Sequence, residues 1–197
     1  MNQTAPFRPL RRRRQELSFA ACAEILERNT SGVLALAGDG GYPYAVPLSY
    51  AYVPAGPVAS GGDAPLQHDL PCGSPAPQDP PLGRLLFHSA REGHKIDAIL
   101  RDGRASFCVV DQDRVVPEEF TTYFRSVIAF GRVRVIERDA EKRAAVELLS
   151  QRFAPKVPLE RHEAEIDRFW QNLTMLELAV EHLSGKEAIE LARDRAQ

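Results

Sequence analysis

The feature that most constrains the fold is a long stretch of alternating side chains, Tyr123 to Glu137. Every second residue from Val127 to Val135 is small or β-branched, and the residues between them include two arginines. A period of two predicts a β-strand with one buried face. Gly131 lies in the middle of this strand, where a glycine favours the bend that a closing barrel requires. The fold is therefore expected to contain at least one long, curved strand.

Five further strands are predicted, and their turns favour antiparallel pairing. Gly38 to Gly41 is a turn with residues suited to positive φ, and it joins the first two strands. Proline cannot donate a backbone hydrogen bond, so Pro47 marks a sheet edge, a bulge or a strand end. Asp111–Glu119 is predicted to be a polar connection. The predicted strands are Val33–Ala37, Tyr42–Val53, Arg84–Phe87, Ala105–Val110, Tyr123–Glu137 and Met175–Leu183.

Helices are predicted at residues 18–27, 93–103, 139–152 and 159–171. Ser18 and Asp139 are the expected N-caps of the first and third helices, and Gly103 is the expected C-cap of the second. No βαβ rhythm appears, and no Gly-x-Gly-x-x-Gly follows a strand, which argues against a Rossmann-type nicotinamide site. The pattern favours a small antiparallel barrel with added helices, mainly β in class.

Composition is that of one soluble globular domain: 197 residues, 44% hydrophobic and 26% charged. The net charge of -2 gives no reason to expect a nucleic-acid partner. No apolar run is long enough for a membrane span, and the arginine-rich N-terminus does not resemble a secretory signal. The three cysteines are scattered without a Cys-x-x-Cys pair, which predicts reduced thiols in the cytoplasm and no metal site.

Four segments are expected to lie outside the barrel: an N-terminal arm (1–16), a Pro/Gly-rich insertion (54–83), a helical addition (139–171) and a C-terminal helical tail (185–197). The insertion is predicted to be a poorly ordered surface loop. Its His68 and Cys72 are too few for a metal site. Arg11 to Arg14 form either a solvated flank or an arm over an acidic surface or a cofactor phosphate.

A phosphate site is predicted where the strand ending near Phe87 leads through Gly93 into a helix. The free N–H groups and the positive dipole at a helix start attract anions, and Lys95 adds a full positive charge. A glycine and a lysine at a helix start are also common without any ligand, so a purely structural interpretation remains open.

Several short motifs, taken in order, resemble those of the flavin-binding split-barrel proteins of the pyridoxamine-phosphate-oxidase-like superfamily, and most closely the nitroimidazole-resistance (Nim-type) branch. The insertion departs from the family pattern. The motifs are Gly41-Tyr42-Pro43-Tyr44-Ala45-Val46-Pro47-Leu48-Ser49-Tyr50, Phe87-His88-Ser89-Ala90, Gly93-His94-Lys95, Arg125-Ser126-Val127-Ile128 with Gly131, and Ser184-Gly185-Lys186-Glu187.

The resemblance implies a single six-stranded antiparallel split β-barrel that dimerises and binds FMN, or FAD, at the dimer interface. It implies flavin contacts from three motifs. Backbone groups of Pro47, Leu48, Ser49 and Tyr50 would edge the ring, and Phe87, His88, Ser89 and Ala90 would run beneath it. Lys95, His94 and, from the partner subunit, Arg125, Ser126 and Val127 would reach the phosphate or the ribityl chain.

Individual roles stay open. His88 is either a structural histidine or, as the resemblance implies, a catalytic residue that faces the flavin. His94 is a second phosphate donor or merely exposed. Tyr50 and Tyr52 stack near the ring or fill the core. Phe169 and Trp170 are predicted to pack in the core.

The leading functional hypothesis is a flavin-dependent oxidoreductase that reduces a small electron-poor acceptor such as a nitro-aromatic compound. The first alternative is a flavin-binding module, a carrier, sensor or scaffold, without efficient turnover. The second is a pyridoxamine-phosphate oxidase, which is disfavoured because no substrate-phosphate residues are recognisable near the C-terminus.

Overall fold

The computed structural model of the protein describes residues 7–55 and 82–195. Within these residues the chain forms one antiparallel sheet of seven strands with five α-helices around it. The strands are β1 (Ser31–Ala37), β2 (Pro43–Ser49), β3 (Ala51–Val53), β4 (Arg84–Ala90), β5 (Arg104–Val116), β6 (Thr121–Val135) and β7 (Leu173–Glu187). The helices are α1 (Phe19–Arg28), α2 (His94–Arg101), α3 (Asp139–Phe153), α4 (Leu159–Phe169) and α5 (Ile189–Asp194).

The strands are ordered β2-β1-β5-β6-β7-β4-β3, so β2 and β3 lie at opposite edges of the sheet. Only Tyr50 separates these two strands along the chain. The sheet must therefore curl until its two edges meet at Tyr50. This geometry confirms the predicted split barrel with flanking helices, and it corrects the strand count from six to seven.

The extra strand arises because the predicted strand Tyr42–Val53 is broken at Tyr50. The Tyr50 side chain is fully buried, and its hydroxyl donates to the carbonyl of Leu26 at 2.8 Å. Burial is the first cause of the raised pKa of this phenol. Anchoring Tyr50 inside the barrel turns the chain from one sheet edge to the other. Of the three positions that Pro47 could mark, the structure shows the sheet edge, since β2 pairs with β1 alone among the described strands.

The predicted polar connection at Asp111–Glu119 is wrong for most of its length. β5 continues through it, with a register shift after Val110, and pairs with β6 as far as Val116 opposite Thr121. β7 pairs with β6 only from Arg125 onward, so no third strand of the described residues pairs with the outer part of this hairpin. Both faces of a two-stranded arm meet solvent, which removes the apolar alternation that reveals a strand in sequence.

Glycines adjust the sheet where strands approach closely. The register of β6 against β7 shifts at Gly131, where a Cβ atom would lie 1.9 Å from the carbonyl oxygen of Ala179. The bend predicted at Gly131 therefore coincides with an irregularity of the ladder. Gly103 is not a C-cap, because Asp102 ends α2 in an extended conformation. A Cβ atom at Gly103 would lie 2.7 Å from the carbonyl oxygen of Val133.

Most helix boundaries agree with the sequence patterns. Ser18 is the N-cap of α1, and its hydroxyl accepts from the N–H of Ala21 at 3.2 Å. Asp139 is the first helical residue of α3 rather than its cap. Gly185 belongs to β7, so the C-terminal helix begins at Ile189 and not at 185. Although Asp139 is not the cap of α3, its negative charge in the first turn complements the dipole of that helix.

Two hydrophobic cores lie on the two faces of the sheet. The inner core fills the barrel and includes Phe87 and Phe107, with α1 and α2 packed against it. The outer core lies between the sheet and the helices α3 and α4, and it includes Leu86 and Met175. Successive residues of β4 therefore contribute to different cores, as the period of a strand requires.

Residues 7–16 of the predicted N-terminal arm lie against the end of β7. Glu16 forms a single bridge with Lys186, and the Leu17 N–H donates to the Gly185 carbonyl at 3.0 Å. Phe7 stacks on His182 with ring centroids 4.6 Å apart. His68 and Cys72 lie outside the described residues, as does the insertion except for positions 54, 55, 82 and 83. No helix in the described part of the chain is sufficiently long and apolar to cross a membrane.

Candidate functional site

His88 lies on the outer face of the sheet because of the alternation of β4. Leu85, Phe87 and Ser89 point into the barrel and are buried, whereas His88 and Ala90 are exposed on the other face. Leu86 occupies the same outer face but is covered by α3 and α4. The helical cover therefore ends beside His88, which leaves its imidazole at the edge of an open space.

That space is a cavity of about 370 Å³ between the outer face of the sheet and the pair α3 and α4. Ser49 and His88 lie in its wall. Ala51 pairs with Leu86 in an antiparallel ladder. Two residues back from Ala51 and two residues on from Leu86, Ser49 therefore comes to lie beside His88. The break at Tyr50 thus brings together two of the predicted flavin-binding motifs, which are about forty residues apart in sequence.

The cavity is mainly apolar, and both helices contribute to it. Its apolar lining consists of Val146, Leu149, Phe153, Ile166, Phe169 and Leu173. Besides Ser49 and His88, its polar lining consists of Ser150 and Glu165. No lysine or arginine is among these lining residues. Apolar walls with a few convergent polar groups are typical of small-molecule sites.

A buried histidine supports the cavity wall from behind. His162 of α4 is 7% exposed, and its Nε2 lies 3.1 Å from the carbonyl oxygens of both Ala154 and Val157. Its Nδ1 is in hydrogen-bond contact with the hydroxyl of Ser150. Ser150 and Ala154 lie at the end of α3, and His162 lies near the start of α4. These contacts therefore attach one helix to the other.

The start of α2 is the second candidate element. Gly93 precedes α2 with a φ of 119°, and a Cβ atom there would meet nothing within 4 Å. A helix leaves its first N–H groups without intrahelical partners, so this open helix start can bind an anion. Lys95 lies in the first turn, is half-buried and forms no ion pair with any described residue. His94 stacks on Tyr44 at 4.0 Å and lies 3.4 Å from a carboxylate oxygen of Asp39.

Arg125 lies in a network of charges at the start of β6. Its guanidinium lies 3.0 Å from Glu187, which is fully buried, and 3.8 Å from Asp111. Arg28 and Asn29 also donate to Asp111, at 2.7 and 2.8 Å. Burial raises the pKa of the Asp111 carboxyl, but the bonds from Arg28 and Asn29 and the nearby positive charges outweigh it, so the net pKa is lowered.

Lys95 and Arg125 lie far apart within one chain. Arg101 of α2 donates to the carbonyl of Ala37 at 2.7 Å, so α2 lies at the C-terminal end of β1. The Arg28–Asp111–Arg125 network lies at the other end of β1, next to Ser31. These two ends are roughly 20 Å apart at the usual rise of a strand.

The other predicted flavin-binding residues differ in exposure. Tyr50, Phe87 and Val127 have fully buried side chains in the inner core. The Tyr50 side chain therefore fills the barrel, and so does that of Tyr52, whose hydroxyl donates to the Leu82 carbonyl at 2.8 Å. A flavin would meet these three residues of the predicted set through backbone groups.

Pro47 is exposed on the edge strand β2, and Leu48 packs against the inner core. Ser126 is half-buried in β6. Ser89 is buried, and its hydroxyl has no hydrogen-bond partner among the described residues. Its side chain points into the barrel, on the face opposite the cavity beside His88.

Sequence reasoning missed the helical wall of the cavity. Ser150, Phe153, Glu165 and Phe169 were not predicted as site residues, and Phe169 was expected in the core although it is 46% exposed. Trp170 is half-buried beside the outer core. A possible signal was the pair of large apolar residues, Phe153 and Phe169, near the ends of two otherwise polar helices. In the described parts of the chain, no group of three His, Cys, Asp or Glu side chains could hold a metal ion.

Comparison with known proteins agrees with the architecture. Residues 18–187 match the family described as pyridoxamine 5'-phosphate oxidase. The chain therefore belongs to this family, and the resemblance inferred from its motifs is confirmed at that level. No match was found among curated protein sequences.

Solved structures share the fold at low sequence identity. A candidate 5-nitroimidazole antibiotic resistance protein from Bacteroides thetaiotaomicron has a TM-score of 0.61 and 18% identity, over 87% of this chain and 86% of its own. A FAD-binding protein from Mesorhizobium loti has a TM-score of 0.55 and 23% identity, over 88% and 97%. The FAD and heme binding protein from Mycobacterium smegmatis has a TM-score of 0.60 and 21% identity, over 89% and 73%.

Proposed function

We propose that this protein is a flavoprotein that holds its flavin against the outer face of the barrel, next to Ser49 and His88. The observation that carries the proposal is the open apolar cavity at which the two motifs meet. Family membership supports it, and so do two structural relatives whose descriptions name FAD binding.

The residues present fit a flavin. An apolar wall suits the isoalloxazine ring, and Ser49 and His88 in the cavity wall can bond its polar edge or the ribityl chain. The phosphate would bind at the start of α2, where free N–H groups and the Lys95 ammonium are available. We propose FMN as the cofactor, with FAD as the alternative that mass spectrometry of the released flavin distinguishes.

A bound flavin supplies electron or hydride transfer, and the protein supplies binding and orientation. The His88 imidazole lies at the cavity edge, where it can hold or release a proton next to a ligand. We propose that the protein reduces a small electron-poor acceptor such as a nitro-aromatic compound. The similarity to the candidate nitroimidazole resistance protein supports this choice of acceptor.

The first test is the absorption spectrum of the purified protein, which should show the flavin bands. The second is stopped-flow oxidation of the reduced holoprotein by a nitroimidazole and by a quinone. Oxidation faster than that of free reduced FMN supports the oxidoreductase, whereas equal rates support a carrier, sensor or scaffold.

The free thiols of Cys22 and Cys108 support a cytoplasmic location.

A pyridoxamine-phosphate oxidase is the alternative that the family description favours. Its substrate phosphate would need a cation, and the cavity lining contains neither lysine nor arginine. We therefore expect no hydrogen peroxide when the holoprotein is given pyridoxamine phosphate under oxygen. Peroxide formation at a rate that depends on the substrate would establish the oxidase instead.

We also propose a homodimer with one flavin site at each end of the interface. The outer face of β1, β2 and β5 is apolar, and no helix of the described residues covers it: Val33 lies between Pro47 and Cys108, and Val110 is 58% exposed. Lys95 and Arg125 are too far apart to share a phosphate within one chain, but two chains related by a two-fold axis can combine them. Sedimentation of the flavin-loaded protein as a monomer at micromolar concentration would contradict this, and Val33→Glu should weaken the dimer.

A further inference from the structure

The helical wall of the cavity carries two polar side chains, Ser150 of α3 and Glu165 of α4. Neither has a role in binding the flavin as proposed above. Both bear oxygen atoms, and the other five residues of α3 and α4 that line the cavity are apolar. The chemistry of these two groups therefore bears on which compounds can lie against this wall.

The hydroxyl proton of Ser150 is directed away from the cavity. Two carbonyl oxygens lie 3.1 Å from the Nε2 of His162, and carbonyls only accept, so Nε2 carries a proton. In a neutral imidazole one nitrogen donates and the other accepts. Its Nδ1 then accepts the Ser150 proton. Ser150 is left with lone pairs to offer, and His162 is the positioning residue.

Glu165 adds a negative charge at the same wall. Its side chain is 63% exposed, and its nearest cation is Arg168, at 3.6 Å from one carboxylate oxygen. Arg168 is itself 71% exposed and extends over the ring of Phe169. An exposed pair with this separation neutralises the carboxylate only partly.

We propose that this wall is a specificity filter made of hydrogen-bond acceptors. Resting on the flavin site proposed above, the cavity takes neutral or cationic aromatic acceptors that carry an O–H or N–H donor, and it disfavours anionic ones. Ser150 recognises the donor, and Glu165 sets the preference for charge.

Four nitrobenzyl compounds with one common ring test this filter. They are 4-nitrobenzyl alcohol, its methyl ether, 4-nitrobenzylamine, which is cationic at neutral pH, and 4-nitrobenzoate. Dissociation constants are measured on the oxidised holoprotein by calorimetry, so that no turnover is needed. We expect the alcohol to bind about fivefold tighter than the ether. We expect the amine to bind about tenfold tighter than the benzoate at low salt, and less so at high salt.

Two variants test which residue causes each affinity ratio: Ser150 the alcohol-to-ether ratio, and Glu165 the amine-to-benzoate ratio. Ser150→Ala should bring the alcohol and the ether to within about twofold. It should lower the amine-to-benzoate ratio only by the loss of one N–H bond and leave the salt dependence of that ratio unchanged. Glu165→Gln should remove the salt-dependent part of the amine-to-benzoate ratio and leave the alcohol-to-ether ratio unchanged. Glu163→Gln is the matched control, because Glu163 is exposed on the same helix and does not line the cavity. Each ratio compares two ligands on one variant, so a uniform loss of folded protein cancels.

Equal constants for all four compounds on the wild type would overturn the filter. So would a Glu163→Gln effect as large as that of Glu165→Gln, since the preference would then come from surface charge in general. A colourless protein that keeps both ratios would defeat flavin binding but leave the filter standing. A yellow protein without the ratios would defeat the filter alone.

Discussion

Lys95 and Arg125 are both cations predicted to bind the flavin phosphate, yet the structure surrounds them differently. Lys95 lies at an open helix start with no ion pair among the described residues. Arg125 contacts a fully buried carboxylate, Glu187, and lies near a second one, Asp111. One cation thus has no ion pair among the described residues, whereas the other can bind a ligand only while it is also paired with carboxylates of its own chain. Equal predicted roles do not imply equal availability, because the sequence does not show which carboxylates surround a cation.

The largest effect is expected from Arg125→Ala, which would leave Glu187 buried with Arg195 as its remaining cation. Removing one partner of a buried ion pair costs about 3 kcal/mol of unfolding free energy. Urea unfolding of the flavin-free protein measures this loss. Arg132→Ala is the control on the same strand, because Arg132 and Glu181 form an exposed pair. If Arg132→Ala lowered the unfolding free energy as much as Arg125→Ala does, the proposed distinction between a buried and an exposed ion pair would be lost.

Lys95→Ala should leave stability unchanged and weaken the binding of FMN. Loss of one charged hydrogen bond, about 1.5–3 kcal/mol, lowers FMN affinity by roughly ten- to a hundredfold. Riboflavin has no phosphate, so its affinity should stay within about twofold. Paired titrations with FMN and riboflavin measure both, and Lys156→Ala serves as the control in the exposed connection between α3 and α4. Equal losses for both ligands would mean that Lys95 acts through the structure.

Asp111→Asn should show a smaller effect than either cation variant, and one that depends on pH. The pKa of Asp111 is lowered on folding, so its contribution to stability is present above its unfolded pKa of about 3.9 and disappears as the pH falls through the lower folded value. The unfolding free energy of the wild type should exceed that of the variant by about 1–2 kcal/mol at neutral pH, and the two should converge as the pH falls through the lowered folded pKa.

Asp39→Asn provides the comparison at the other end of β1. Asp39 is 70% exposed although it contacts both Arg101 and His94. An exposed pair contributes at most about 1 kcal/mol, so this variant should lose less unfolding free energy than Asp111→Asn at neutral pH. Urea unfolding at a series of pH values measures both variants. A larger effect at Asp39 than at Asp111 would reverse the proposed contrast.

Much of the fold could be predicted because local signals agreed with the final structure. The alternation from Val127 to Val135, the N-cap at Ser18 and the turn at Gly38–Gly41 each fix a short stretch by its own chemistry. The break at Tyr50 could not be predicted, since it depends on a distant acceptor, the Leu26 carbonyl. The outer part of β5 was missed because a two-stranded arm has no buried face.

The candidate site divides in the same way. His88 and Ser49 were predicted from motifs with a family resemblance, and the structure brings both to one cavity. The opposite wall was missed because it consists of two helices whose shared face forms only on packing. Ser150 and His162 lie in different helices, and nothing local to either residue indicates that they bond.

The strand order also has a consequence for how the chain is made. β1 and β2 are joined by a tight turn and can pair as soon as they have been synthesised. β4 pairs with β7, so His88 must wait for Met175, more than eighty residues later. At about 5–20 residues per second, the ribosome would need several seconds to supply that partner. During this interval the edge of β4 that later pairs with β7 is open. A nascent chain without β7 has every other described strand of the barrel, but nothing yet joins β6 to β4.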